Sequence, residues 1–272
     1  MMGPRGIYNV YVIPLLARLA VLAGRLLSVR FLLALREGID VSAPLDYGPT
    51  RILLRCDGWI EYAGRRSACQ KEPETLEWIK QWVGPGHVLY DVGANVGAYS
   101  LIAHAHTRGQ ATIYAFEPGV PTFGQLCKNI RLNGAGAEVI PLCVALSNRT
   151  GLTAFHYSNL RTGAAGHALG VPTDSLGRPF TPVYSQPVLS YRLDDLIAAF
   201  DLLQPNHIKI DVDGTEVQVL EGATSTLREP CLRTIMVECE PQTEAKVRDL
   251  LCRHGFQAMI FPGRPNILFT KA

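Results

Sequence analysis

The sequence predicts an α/β fold: a doubly wound, mostly parallel sheet with a C-terminal antiparallel hairpin strand, preceded by an apolar N-terminal helix. Three observations carry this prediction. From residue 87 onward, short β-rich apolar runs alternate with helical stretches, as in a parallel sheet covered on both faces. Residues 88–97, VLYDVGANVG, set a glycine-rich turn between the first such run and the helix after it. Near the C-terminus, Gln257 to Phe261 and Asn266 to Thr270 are β runs joined by Pro262-Gly263-Arg264-Pro265. That link is too short for a crossover helix, so the second run must be antiparallel to the first.

The chain divides into residues 1–40, 41–84 and 85–272. Residues 7–35 are dominated by Leu, Val, Ala and Ile and are broken by Arg18, Arg25 and Arg30. The longest charge-free stretch there, 6–17, is well short of the ~20 residues that a spanning helix needs. Arg18, Arg25 and Arg36 fall near one side of a helical wheel, with Arg30 off it, and Pro14 would start or kink the helix. Three readings stand: a membrane-surface helix, a packing or dimerisation helix, and a processed segment. Arg18 inside the apolar run argues against export.

In the second segment, Arg51-Ile-Leu-Leu-Arg and Trp59-Ile-Glu-Tyr read as strands of a hairpin, turned by Cys56-Asp57-Gly58. Residues 72–83 read as a helix with Pro73 near its start and Gly84-Pro85-Gly86 at its end. In the third segment, strands are expected at 87–91, 111–116, 137–143, 207–212 and 233–238, and helices at 97–108, 120–133, 215–228 and 242–254. Residues 157–188, rich in Gly and Pro, read as a long loop inserted over the sheet edge, of the kind that forms lids and substrate walls.

Composition narrows the function. The 272 residues are 47% hydrophobic and 18% charged, with a net charge of +2. No basic stripe with interleaved aromatics is present, so nucleic acid is not an expected partner. Seven cysteines are scattered without a CxxC pair. They read as reduced thiols of a cytoplasmic protein, with neither a disulfide framework nor a zinc site.

The turn after the first strand carries the ligand chemistry. Gly93 and Gly97 allow close backbone approach. Asp91 ends the strand with a carboxylate where a pyrophosphate would want bare N–H groups. A ligand with a cationic end suits it, and S-adenosylmethionine fits better than a dinucleotide. Glu117 ends the second strand at the spacing where such folds grip a ribose diol. Both carboxylates are expected at exposed strand ends.

The chain resembles the FkbM-type S-adenosylmethionine-dependent methyltransferases over about residues 74–270. The resemblance rests on YDVGANVGAYS (90–100), YAFEP (114–118), LCKNIRLNG (126–134), VALSNRTG (144–151), YRLDDL (191–196), IKIDVDGTEVQVLEGA (208–223) and MVECEP (236–241). A parallel sheet finished by an antiparallel hairpin strand is also the class I methyltransferase arrangement. Two departures are Asp213, where the family usually has Glu, and the idiosyncratic stretch 157–188. The resemblance implies O-methylation of a hydroxyl on a sugar, glycan precursor or secondary metabolite. It implies that Asp91, Gly93, Asn95 and Gly97 hold the methionine end of the cofactor and Glu117 the ribose. Pro118, Val144 and Ala145 would flank the adenine, with Ser147 or Asn148 near its amino group.

Position selects the catalytic candidates. Methyl transfer needs a placed acceptor and a group to remove its proton. Such groups must lie at the carboxyl edge of the sheet. Asp211 and Asp213 end the fourth strand there, and Glu238 and Glu240 the fifth. Lys209 precedes Asp211 by two, so the pair shares a strand face. His87, His207 and His254 lie at the opposite edge, and His104 and His106 late in a helix. From the inserted loop, Arg161, His167 and Tyr184 are the substrate candidates, with His156 as a further histidine able to reach the site. The acid group is also a donor set that Mg²⁺ accepts, but the resemblance requires no metal and none is assigned. The expected partner is a small-molecule or glycan acceptor, with peripheral membrane contact or homo-oligomer formation through residues 7–36. A dinucleotide-dependent oxidoreductase and an inactive cofactor-binding protein are the alternative functions.

Overall fold

The computed structural model describes residues 18, 20, 21, 24 and 28–271. The chain forms two compact units, Met1–Val41 and Ser42–Ala272. In the first unit, α1 (Val29–Gly38) is capped by Ser28, whose Oγ accepts the Phe31 N–H at 3.3 Å. None of its residues is buried, and Phe31, Leu33 and Leu35 are exposed. Most of the apolar stretch expected before residue 28 lies outside the described residues. Among the described residues, no helix is long and apolar enough to cross a membrane.

The second unit opens with β1 (Ser42–Pro44) antiparallel to β2 (Leu53–Arg55). The hairpin expected between 51–55 and 59–62 does not form. Instead, residues 59 and 60 enter a turn of π-helix, Glu61–Arg65. The reason is tertiary. The Asn133 side chain accepts the Leu53 N–H at 2.9 Å and donates to the Leu53 carbonyl at 2.8 Å, and Asn129 accepts the Arg55 N–H at 2.8 Å. These amides satisfy the β2 edge that a following strand would have used. Then come α2 (Ala68–Lys71) and α3 (Pro73–Trp82), the latter with Pro at its first turn.

The core alternates as expected: β3 (Val88–Val92), α4 (Ala98–His106), β4 (Thr112–Phe116), α5 (Val120–Leu132) and β5 (Val139–Leu142). Next come β6 (Ala145–Leu146), β7 (Gly151–Tyr157), β8 (Ala168–Leu169), β9 (Tyr184–Tyr191) and α6 (Leu193–Phe200). The chain ends with β10 (His207–Ile210), α7 (Glu216–Glu221), β11 (Thr234–Glu238), α8 (Glu244–Arg253), β12 (Phe256–Ile260) and β13 (Asn266–Lys271). The seven-stranded sheet runs β12-β13-β11-β10-β3-β4-β5. Its members are parallel except β13, which is antiparallel to both β11 and β12. One face packs Leu89, Ile113 and Met236 with Trp78 of α3 and Leu101 of α4. The other packs Tyr90, Phe116 and Val237 with Leu196 of α6 and Val247 of α8.

Two expectations need correction here. Residues 157–188 are not wholly an inserted loop. Their two ends belong to β7 and β9, which pair antiparallel from Gly151↔Ser190 to Tyr157↔Tyr184, within a second sheet ordered β6-β9-β7-β8. Also, α6 stands where no helix was expected, and the helix expected at 215–228 stops at Glu221 before a 3₁₀ turn at Thr226–Arg228. Gly222 follows it because a Cβ there would overlap the Ser147 carbonyl oxygen, so the two segments can meet only at a glycine.

Candidate functional site

β3 delivers the chain into the turn with Gly93 at φ +83°. A Cβ at Gly93 would overlap the Asp211 carbonyl oxygen, so only glycine allows β3 and β10 to run this close. The Gly93 and Ala94 N–H groups donate to the Phe116 carbonyl at 3.0 and 2.9 Å, which ties the turn to β4. A pocket lies at the carboxyl ends of β3, β4 and β10, the edge where ligands bind in open α/β sheets.

Six of the eight residues expected around a cofactor line this pocket: Gly93, Asn95, Glu117, Pro118, Val144 and Ala145. Asp91 and Gly97 do not. Strand alternation turns Asp91 to the same face as Leu89, beneath α4. There its carboxylate accepts the Ser100 Oγ–H at 2.6 Å and lies in register with Lys209. Burial raises its pKa, against the pull of Lys209. Gly97 opens α4 and faces Leu126. Ser147 and Asn148 also stand outside the pocket. The Ser147 N–H donates to the Tyr191 carbonyl, and the Asn148 amide to Glu221 at 2.7 Å.

Neither strand-end carboxylate is exposed as expected: Asp91 is 2% and Glu117 7% accessible. Each Glu117 oxygen accepts one backbone N–H, from Asn95 at 3.0 Å and Gly119 at 2.8 Å. Burial nevertheless pushes its pKa up to about 7. Each oxygen keeps a lone pair for a further donor, which suits a diol. Asn95, at φ +51°, donates its amide to the Ala164 carbonyl at 2.9 Å and so joins the turn to the segment after β7.

At the end of β10, Lys209 is 2% accessible and its Nζ lies 2.9 Å from Asp211 Oδ2 and 4.7 Å from the centre of the Tyr99 ring. Burial opposes both charges, but each holds the other ionised: Asp211 sits well below the usual carboxylate range and Lys209 above the usual amine range. Asp211 in turn pushes Glu238 up to about 8, with burial adding to it. Asp213 rises to about 6, chiefly by burial and then through Asp211, while the Gly166 N–H, which donates to its Oδ2 at 2.7 Å, opposes the rise. Asp211 and Asp213 line the pocket, while Lys209, Glu238 and Glu240 do not.

Ligand atoms of Glu72, Asp211 and Glu238 lie within 4.8 Å of one another. Two cations already face this group, Lys209 on Asp211 and Lys71 on Glu72 at 3.0 Å. Glu72 and Arg65, which also lines the pocket, were missed in the sequence. Glu72 reads there as the first residue of a helix, and Arg65 follows a stretch read as a strand. No periodicity marks either.

Of the substrate candidates, His167 lines the pocket. Its ring packs edge-on against Phe155 and Tyr157. Burial, then Arg65, lowers it to about 4, so it is neutral. Tyr184 stacks on Tyr157 outside the pocket, and Arg161 is exposed and outside it as well. His156 lies 2.7 Å from Ser185 Oγ and 2.9 Å from the Gly170 carbonyl, where it joins β9 and β8 across β7.

Against this geometry, the family model for the methyltransferase FkbM domain matches residues 91–258. The chain belongs to this family. It is 31% identical over 169 residues to the hexuronic acid methyltransferase AglP of Haloferax volcanii, covering 62% of this chain and 63% of that one. It is also 31% identical over 195 residues to the 31-O-demethyl-FK506 methyltransferase FkbM of Streptomyces tacrolimicus, covering 63% of this chain and 73% of that one. A solved precorrin-6y C5,15-methyltransferase from Geobacter metallireducens aligns with a TM-score of 0.45 at 13% identity, over 74% of this chain and 87% of that one. The FkbM domain match begins at Asp91, so Arg65, Lys71 and Glu72 are contributed to the site from outside it.

Proposed function

We propose that the protein is an S-adenosylmethionine-dependent O-methyltransferase that acts on a hydroxyl of a sugar, glycan precursor or secondary metabolite. The observation that carries this reading is one pocket in which the Gly93–Asn95 turn, the Glu117 carboxylate and the end of β10 meet. Family membership supports methyl transfer, and the relatives are named for a hexuronic acid and for demethyl-FK506. Glu117 would hold the ribose hydroxyls, Pro118, Val144 and Ala145 the adenine, and Gly93 and Asn95 the start of the methionyl chain. When bound, the donor supplies a methyl group already activated on a sulfonium. The chain's work is to orient the acceptor, exclude water and remove one proton. Asp91 acts here as a positioning residue, through Ser100 and Lys209.

The proposal extends to partners and place. The protein is cytoplasmic, with a small-molecule or glycan acceptor and no nucleic acid. Residues 7–36 make peripheral membrane contact or assemble a homo-oligomer, and the exposed Phe31, Leu33 and Leu35 of α1 support such a contact.

Calorimetry with S-adenosylhomocysteine and then NAD⁺ tests the cofactor. The first should bind and the second should not. Glu117→Ala should weaken S-adenosylhomocysteine about ten- to a hundredfold, the worth of a lost charge-assisted hydrogen bond. Equal affinity in wild type and variant would remove Glu117 from the cofactor site.

A further inference from the structure

Of the cavities that share walls with the cofactor pocket, two carry an aspartate from the end of β10, Asp211 in one and Asp213 in the other. The first bay shares Arg65, Gly93, Asn95 and Asp211 with the pocket. It carries both signs of charge, Arg65 and Lys71 against Glu72 and Asp211. The second shares Leu169, Asp213 and Thr215 with the pocket. Its further polar walls include Thr173, Ser175 and Gln242, which are uncharged. Asp174 also borders it, but its carboxylate is engaged in its own turn. It accepts the Leu176 and Arg178 N–H groups and pairs with the Arg178 guanidinium at 2.7 Å.

Resting on the methyltransferase reading, we infer that the second bay is the acceptor subsite, that it takes a neutral polyhydroxylated acceptor, and that Asp213 receives the acceptor's proton. The amino-acid end of the donor is a zwitterion, and the mixed-charge bay matches it. That leaves the second bay for the acceptor. Among its described walls there is no cation to pair with a carboxylate or phosphate, and an anionic acceptor would lie against the Asp213 carboxylate. Hydroxyl and amide side chains suit sugar hydroxyls, and Leu169 and Val171 supply an apolar face for ring carbons.

Transfer must occur where donor and acceptor volumes touch. Of the three residues common to the pocket and this bay, Asp213 alone titrates. Asp211 belongs to the other bay, and Lys209 holds one of its oxygens. A carboxylate kept ionised that strongly is a weak base. Asp213 stands at φ +51°, a conformation that Asp tolerates better than most residues. Gly166 holds its Oδ2, and its Oδ1 has no hydrogen-bond partner among the described residues. Burial, Asp211 and Glu240 push it up to about 6 against Gly166 and Arg65, near the value a base needs at neutral pH. In the step, the acceptor O–H proton passes to Asp213 and the oxygen lone pair bonds the methyl carbon. The electron pair of the breaking C–S bond stays on sulfur. A cationic donor and an anionic base become a neutral thioether and a neutral carboxylic acid.

The test uses the full chain saturated with S-adenosylhomocysteine. Saturation-transfer NMR is run with neutral methyl glycosides (gluco, galacto and manno) and with methyl glucuronide. The neutral glycosides should give signal and the glucuronide should not. Thr173→Trp, which fills the bay, should erase that signal with S-adenosylhomocysteine affinity changed by less than about threefold. In single turnovers with labelled donor and the glycoside that binds, Asp213→Asn should slow transfer about 10²–10⁴-fold with cofactor affinity kept. The wild-type rate should rise to a plateau above pH about 6, and the variant should lose that dependence. A preference for the glucuronide, silence from all neutral glycosides, or full transfer by Asp213→Asn overturns the inference. So does a signal that survives Thr173→Trp and vanishes in Lys71→Ala, which would move the acceptor to the charged bay. Failure of the wild type to bind S-adenosylhomocysteine is a separate result, and it removes the underlying methyltransferase reading as well.

Discussion

All five residues of β3 are buried, whereas β7 buries only Phe155 and Tyr157, and β9 only Val188 and Ser190. Both regions wall the same pocket. β3 lies mid-sheet with helices on both faces, so the turn after it is held by the whole core. The β7–β9 hairpin shows one face to water, and the segment between its strands that follows β7 is held by a few polar contacts. Asn95 holds Ala164, Thr122 holds the Gly163 N–H at 3.3 Å, Arg65 holds the Gly163 carbonyl at 2.8 Å, and Asp213 holds the Gly166 N–H. The difference separates two tasks. The turn after β3 is braced by the core, whereas little of the fold depends on the hairpin side.

The comparison can be broken most directly at Lys209. Lys209→Ala should cost about 2–4 kcal/mol in urea unfolding, because it leaves the half-buried Asp211 charged beside Glu72 and Asp91. A loss below about 1 kcal/mol would mean that the strand-end charges are hydrated. Gly93→Ala should cost about 1–3 kcal/mol of backbone strain, and the displaced turn should abolish S-adenosylhomocysteine binding. Retained binding would show that β10 can yield at Asp211.

On the hairpin side, effects should be smaller. Tyr157→Phe removes the oxygen that accepts the Val120 N–H at 3.1 Å and should cost about 0.5–1.5 kcal/mol. Leu152→Ser, on the open face, should stay within about 0.5 kcal/mol. A larger loss there would mean that the face is covered in solution.

The acids that end the strands of the central sheet differ among themselves in pH response. The folded-state pKa values of Glu117 and Glu238 are raised from 4.5 to about 7 and about 8. Their folded forms hold protons that the unfolded chain has released, so this stability is full below pH 4.5 and is lost as pH rises through 7 and 8. Asp211 has the opposite sign, and its contribution falls away only in acid. His167 and His207, kept neutral by burial, give the opposite slope below pH 6.5, so the ligand-free melting temperature should decline from pH 6.5 to 8, and Glu117→Gln should flatten that slope. A rising curve would contradict the burial of these acids. The smallest effect on stability is expected from deleting residues 1–41, since Ser42–Ala272 is its own compact unit. The deletion should abolish sedimentation with anionic vesicles at low salt, each arginine near the surface contributing about 1 kcal/mol. Full-length protein that stays in the supernatant rules out the membrane contact, and a shift on a sizing column would assign assembly to this segment.

The central sheet was legible because strands buried on both faces read as continuous apolar runs, and Val88–Tyr90, Ile113–Phe116 and Thr234–Val237 are such runs. The glycine turn and the terminal hairpin were legible because close approach and short links admit few residue types and one strand direction. The β7–β9 sheet was not, since a strand covered on one face alone gives half the signal and Pro187 interrupts it. The mistaken hairpin after β2 shows the other limit: Asn129 and Asn133, more than seventy residues away, take the edge that local pattern assigned to Trp59–Tyr62.

From its sequence alone, this chain determines the order of its elements, the edge of the sheet where ligands bind, and the identity of the acids that end its strands. These follow from periodicity and backbone geometry, which are local. Only the tertiary structure decides what each acid does. Register sets Asp91 opposite Lys209 and beneath α4, salt-bridging fixes the charge of Asp211, and a left-handed residue at the end of β10 puts Asp213 between two cavities. Charge state and reach depend on neighbours brought together across the fold, and no local pattern carries them.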